Sequence, residues 1–208
     1  MKEDQDYIRD IAEMRSMMER SSKFMSLSGL AGVMAGVYAL AGAFAAYQVL
    51  HFNPDQISYA YYHPMRSPGY LWQVVILAIV ILFLAVGTAI FLSNRKAAKR
   101  QEKVYNATAR RLLLSMAVPL VAGGFLILIM IAQGLLGLVI PFTLLFYGLA
   151  LYNAGRYTFV ELRSLGLIQV GLGLISACFP GYALLFWALG FGVLHIVYGI
   201  YMHYRYER

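Results

Sequence analysis

The chain has 208 residues, of which 61% are hydrophobic, 14% aromatic and only 13% charged, with a mean hydropathy of +0.65. An average soluble domain carries about 25% charged residues, so this chain lacks the polar surface that a soluble enzyme or a disordered segment needs. What remains is an all-α, polytopic membrane protein. The formal net charge of +7 implies a basic membrane face attracting anionic lipid rather than nucleic-acid binding, because no folded basic domain is there to carry it.

Residues 1–24 read as an amphipathic cytoplasmic helix, separate from a transmembrane domain over 25–208. Tyr7, Ile11, Met14 and Met18 form one stripe at helical period, among alternating acids and bases. Such a helix lies on the bilayer or docks a partner. The opening MKEDQDYIRD is acidic and polar, unlike the basic and apolar regions of a signal peptide.

Four apolar stretches follow: Leu27–Leu50, Leu71–Leu92, Leu112–Tyr152 and Leu165–Tyr204, of 24, 22, 41 and 40 residues. The first two are one membrane helix each by the rule of roughly 20 residues per span. At 1.5 Å per residue each of the longer pair would run about 60 Å, twice a hydrocarbon core. Each must fold back, which makes six helices in three hairpins, about 27–92, 112–157 and 164–204. In the last stretch the turn is expected at Phe179-Pro180-Gly181-Tyr182, with Pro180 opening a helix. In the third it is expected at Gly137 to Pro141, with Gln133-Gly134 as the competing site.

Orientation follows from the cations. Of the 17 Lys and Arg residues, all but Arg66 fall in the 1–24 segment, the 94–111 and 154–164 loops or the C-terminal tail. With those segments inside, both termini are cytoplasmic. Glu161 is the one acid near a span, and Arg156 and Arg163 are its expected partners. The single Cys178 excludes an intrachain disulfide and reads as a small packing residue.

The first helix carries Gly32, Gly36, Ala39, Ala43 and Ala46 at spacings of 4, 3, 4 and 3. A stripe of small residues lets another helix backbone approach closely. The partner is a helix of the same chain or a second copy. The last helix offers Gly192 and Gly199 in the same way.

Ionisable groups are nearly absent from the spans. His195 alone lies near mid-membrane, and an ionisable residue there is a functional candidate by default. The bland alternative is a neutral imidazole bonded to a backbone carbonyl or to one of 16 tyrosine hydroxyls. Gln133, Asn153 and Gln169 either line a polar pocket with His195 or glue helices together. With no deep carboxylate, an ion-coupled carrier is disfavoured.

The 51–70 loop places His51, Asp55 and His63 outside the membrane. Two histidines and an aspartate are weak zinc or copper candidates, but their spacing fits no ligand pattern, so no metal and no cofactor is expected. Its tyrosines and Trp72 read as an interfacial belt. No nucleophile elbow, phosphate loop or dinucleotide fingerprint occurs, which makes enzyme the weakest class.

The later half carries an approximate internal repeat. Pro141-Phe-Thr-Leu-Leu-Phe-Tyr-Gly-Leu149 reads against Pro180-Gly-Tyr-Ala-Leu-Leu-Phe-Trp-Ala-Leu189 with one residue inserted. Over about 165–200 the run GLIQVGLGLISACFPGYALLFWALGFGVLHIVYGI resembles the repeat of HdeD-type acid-resistance membrane proteins. That resemblance implies a small six-helix protein of the bacterial inner membrane, built from Gly-rich hairpins with a Pro turn. It supplies no catalytic residues. The reading is therefore a structural, accessory or stress-related membrane component that works through helix packing and a protein partner or second copy. The alternative is small-molecule or ion permeation through a polar pocket around His195.

Overall fold

A computed structural model describes residues 28–52, 70–99 and 107–206. The 1–24 helix, Asp55 and His63 lie outside these residues. Six helical spans are long and apolar enough to cross a membrane. They are α1 (Gly29–Gln48), α2 (Tyr70–Lys99), α3 (Ala107–Ala132), α4 (Val139–Ala154), α5 (Glu161–Cys178) and a composite α6 (Pro180–Tyr206). There is no strand among the described residues.

Two helix ends differ from the sequence expectation. α2 continues past residue 92 to Lys99, and α3 starts at Ala107 rather than at 112. Hydropathy marks where the bilayer ends, whereas the helix runs on through Asn94, Arg95, Lys96 and Lys99. Water can solvate those charges without breaking the backbone ladder. At 1.5 Å per residue the 30 residues of α2 span about 45 Å, well beyond a core of about 30 Å.

The third stretch turns at Gln133-Gly134 and not at Gly137 to Pro141. Gly134 has a φ of +76°, the left-handed conformation that closes a helix. Its N–H bonds the Ile131 carbonyl at 3.1 Å and the Leu135 N–H bonds the Met130 carbonyl at 2.8 Å, the paired bonds of a Schellman motif. A short 3₁₀ turn, Leu136–Leu138, leads into α4, and Pro141 sits in the first turn of that helix. A missing N–H costs nothing there. The fourth stretch turns where expected, through a 3₁₀ turn at Pro180–Tyr182.

Successive spans alternate in direction, so the helix ends form two levels. The proximal level holds Gly29, Lys99, Ala107, Ala154, Glu161 and Tyr206. Every Lys and Arg among the described residues lies near it: Arg95, Lys96, Lys99, Arg110, Arg111, Arg156, Arg163 and Arg205. The distal level holds Gln48, Tyr70, Ala132, Pro180 and the turns between them. A core cluster of Ala109, Leu112, Leu151, Ala154, Leu162 and Leu165 lies toward the proximal level. A smaller one, Ala46 and Phe52 with Val74, Leu77, Leu136, Ile140 and Leu184, lies toward the distal level.

The packing does not run simply hairpin by hairpin. α4 and α5 form the most extensive pair, with α3 on the other side of α4, while α1 packs on α2 and along α6. α6 touches both groups of helices, and its middle is not α-helical. After one α turn at Ala183–Trp187 comes a π-helical stretch, Ala188–Leu194, and then an α segment, His195–Tyr206. The first turn lies against α4 and α5, and the rest runs antiparallel to α1 while keeping one face on α4 and α5.

Candidate functional site

The small residues decide how the helices meet. On α1, Gly29, Gly36, Ala39, Ala43 and Ala46 are buried. A Cβ at Gly36 would stand 2.6 Å from the Gly192 carbonyl oxygen and 3.0 Å from the Ile196 nitrogen. One at Gly32 would stand 3.3 Å from Gly199 Cα. The stripe with Gly32 and Gly36 is thus applied to α6 of the same chain. Ala43 instead borders a distal cavity with Ala46 and Gly42.

A second glycine contact is one that sequence reasoning did not single out. A Cβ at Gly148 on α4 would lie 2.7 Å from the Gly166 carbonyl oxygen on α5, and a Cβ at Gly166 would lie 2.6 Å from the Tyr152 nitrogen. Farther along the same seam, Gly173 faces the Pro141 carbonyl oxygen at 2.9 Å. The signal was present as Gly148 on one helix and Gly155 at its C-cap, and Gly166 and Gly173 on the next, each pair seven apart. Seven residues are two turns, so each pair lies on one face.

α6 turns its glycine face to α1 and its aromatic face to α4 and α5. On that second face stands His195, 6% exposed. Its Nδ1 lies 2.8 Å from the Gly190 carbonyl oxygen, inside the π stretch, and its Nε2 lies 2.8 Å from the Tyr147 hydroxyl on α4. A carbonyl only accepts, so Nδ1 carries the proton. In the neutral ring Nε2 is then an acceptor, and the Tyr147 O–H donates to it. The same Gly190 oxygen accepts a bond of 2.9 Å from Gln169 Nε2 on α5. That carbonyl ties α5 to α6 directly, and α4 is joined to them through the Tyr147–His195 bond.

Phe191 stacks between Trp187 and His195, with ring centroids 5.2 and 5.9 Å away, and lies 4.9 Å from Tyr147. These rings form an apolar plug on the distal side of the imidazole. Gln169 is fully buried, and its Oε1 finds no hydrogen-bond partner. That oxygen points at Gly190, where an added Cβ would meet it at 2.5 Å. His195 thus bonds a backbone carbonyl and a tyrosine hydroxyl at once.

The four pocket candidates do not converge. His195 and Gln169 meet at Gly190. Gln133 is exposed at the distal turn, and Asn153 is half-buried at the proximal end of α4. His51 is exposed where the chain leaves α1, at a φ of +49°. No group of three metal-ligating side chains forms among the described residues. Cys178 is exposed, so it does not pack inside the bundle. Its position as the last residue of α5 turns it outward.

At the proximal level Glu161 pairs differently from the sequence expectation. Its Oε1 lies 3.2 Å from Arg205 and accepts the Tyr206 O–H at 2.8 Å, tying α5 to the end of α6. Arg163 instead donates to the Tyr152 hydroxyl at 3.1 Å and caps that ring at 5.0 Å. The seam of α4 and α5 holds Arg163 against Gly155, while α6 delivers Arg205 to the acid. Phe159 packs on Tyr206 with centroids 4.4 Å apart and closes this end of the bundle.

At the distal level the bundle is open. A cavity of about 580 Å³ lies among the ends of α1, α2, α3, α4 and α6. None of the four polar candidates lines it.

Six apolar spans, cations near one level among the described residues and a core joined by glycine contacts define an all-α, polytopic membrane protein. Comparison with protein-family profiles, with curated proteins and with solved structures finds no match.

Proposed function

We propose that this protein is a non-catalytic component of a bacterial inner membrane, an accessory or stress-related part that works by holding its helices together and engaging a partner or second copy. The observation that carries the reading is the bonding of His195. The His195 side chain, in mid-span, is held by Gly190 and Tyr147 behind a stack of aromatic rings. Held in this way, His195 ties α4 to α6, which supports a role in the fold. Permeation around His195 would need a polar cavity joining it to Gln133, Asn153 and Gln169, and those four lie at three different heights in the bundle.

The partner surface has its own support. Gly87 on α2, Gly124 on α3 and Gly171 on α5 have nothing within 4 Å of an added Cβ, so the internal packing does not use them. Outward glycines in a membrane helix are where another helix comes close. The charge pattern supports a cytoplasmic proximal level by the positive-inside rule, and residues 165–200 support an HdeD-like membership.

The test is native mass spectrometry of the full-length protein released from mild detergent. A defined homo-oligomer, or a stoichiometric second protein, that dissociates in Gly124→Leu or Gly171→Leu is the expected result. A monomer that carries ions or polar small molecules, and loses them in His195→Phe, would overturn the proposal.

A further inference from the structure

The distal cavity has a shape and chemistry of its own, independent of the partner reading. α1 packs on α2 and α3 packs on α4, but no substantial packing joins α2 to α3. The cavity lies in that gap. Trp72 on α2 and Leu128 on α3 belong to its lining and are 73% and 62% exposed. Its mouth therefore opens sideways, toward the hydrocarbon that surrounds the spans, and not along the bundle axis.

Its depth matches one leaflet. On α2 the lining runs from Trp72 to Ile81, nine steps along the helix or about 14 Å at 1.5 Å per residue. That is close to half of a hydrocarbon core of about 30 Å. Phe52, Gly134 and Leu136 form the rim at the distal level, and Thr143 and Trp187 lie at the inner end.

The lining selects against polar guests. It holds no charged side chain, and the Thr143 hydroxyl already donates to the Ile140 carbonyl at 2.7 Å. Water needs two to four polar partners to be held in a cavity, and a polar solute would give up hydrogen bonds that this wall does not return. A volume of about 580 Å³ falls in the range of ligand pockets. A space of this polarity, open to the acyl region and one leaflet deep, fits a hydrocarbon chain.

We propose that the cavity between α2 and α3 is a binding site for one acyl chain of a distal-leaflet membrane lipid, with the headgroup at the rim near Phe52 and Gly134. The bound chain fills the gap between α2 and α3 and so completes that side of the bundle.

The chain has two tryptophans, and both line the cavity, which gives the proposal a direct reporter. The full-length Trp72→Phe variant, in which Trp187 alone emits, is reconstituted in phosphatidylcholine vesicles. The fraction of lipid with mid-chain brominated acyl groups is then raised stepwise. Trp187 is half-buried and is expected to be quenched along a saturating curve. Ala78→Phe and Ala132→Phe fill the cavity from α2 and from α3, and each is added separately to the Trp72→Phe background. Both are expected to lose that quenching while keeping the circular-dichroism spectrum of the parent. Leu174→Phe, on an exposed face of α5, is expected to leave it unchanged.

Absence of quenching in the parent would show that no lipid chain enters, and would overturn the proposal. Quenching that rises in proportion to the brominated fraction and survives both filling variants would mark ordinary contact with bulk lipid, and would overturn it equally. The two filling variants stand on different helices, so a folded form of either one decides the matter. Failure here leaves the partner reading standing, since that reading rests on His195 and the outward glycines.

Discussion

Replacing Gly148 by alanine tests the α4–α5 seam most directly. The new Cβ would stand 2.7 Å from the Gly166 oxygen, 2.7 Å from the Val170 nitrogen and 2.9 Å from Gln169 Cβ. Two of those atoms are backbone and cannot rotate away. Against a usual separation of about 3.5 Å, the helices must part by roughly 0.8 Å, and a gap of that size forfeits a quarter to a half of each contact's attraction. Overpacking of this kind costs about 1–3 kcal/mol. Alanine also gains up to about 1 kcal/mol over glycine in a helix, so the measured loss would understate the contact. Gly171→Ala, compared in a detergent that holds the protein as a monomer so that the proposed partner contact is absent, supplies the reference, because it makes the same exchange on α5 with nothing within 4 Å of the new atom. The propensity gain cancels in the difference between the two variants, leaving the contact cost alone. At about 2–4 °C per kcal/mol for a chain of this size, Gly148→Ala should melt roughly 2–12 °C below Gly171→Ala. The assay is helical ellipticity against temperature in one detergent. Equal midpoints, or a higher one for Gly148→Ala, would refute the close approach of α4 and α5.

Other consequences of the structure are as open to measurement. The Tyr147–His195 bond is expected to show a coupling of about 0.6–1.7 kcal/mol in a double-mutant cycle of Tyr147→Phe and His195→Gln, the range for side-chain bonds between membrane helices; additive losses would mean the two side chains do not interact. Gln169→Leu removes an oxygen that has no partner along with the bond to Gly190, so its unfolding midpoint should stay close to that of the parent. Gln169→Glu places a carboxylate in the same buried position and should be far less stable, as an unpaired buried charge is costly. Cys178, exposed near the distal level, is expected to react with a membrane-impermeant maleimide in intact cells. A cysteine at Arg95 in a Cys178→Ser background should react only after lysis, and the opposite pattern would reverse the proposed orientation.

The distinction between what a linear reading yields and what packing adds is sharp in particular elements. The number of spans follows from length and hydropathy alone, because a helix rises 1.5 Å per residue and a hydrocarbon core has a fixed thickness. The turn at Pro180 follows for a similar reason, since Pro180-Gly181 falls midway along a stretch too long for one span and proline suits the first turn of a helix. Even the segregation of cations to one level needs only the order of residues along the chain. The turn at Gly134 was less legible. Gly134 and Gly137 are equally able to adopt a positive φ, and their residue types do not say which one does.

The candidate site belongs to the other category. A lone histidine in a span has many acceptable partners, and local sequence cannot choose among the tyrosines and carbonyls. The choice of Tyr147 and Gly190 depends on the rotation of α4 against α6, and on a π stretch at Ala188–Leu194 that no periodicity announces. Two seams of glycine also had to be paired in space before either had meaning, α1 with α6 and α4 with α5. Residue order determined where this chain crosses the membrane, because the bilayer acts on each segment separately. Tertiary structure decided which faces meet and left a gap between α2 and α3, because close contact is a property of two surfaces and is encoded in neither one alone.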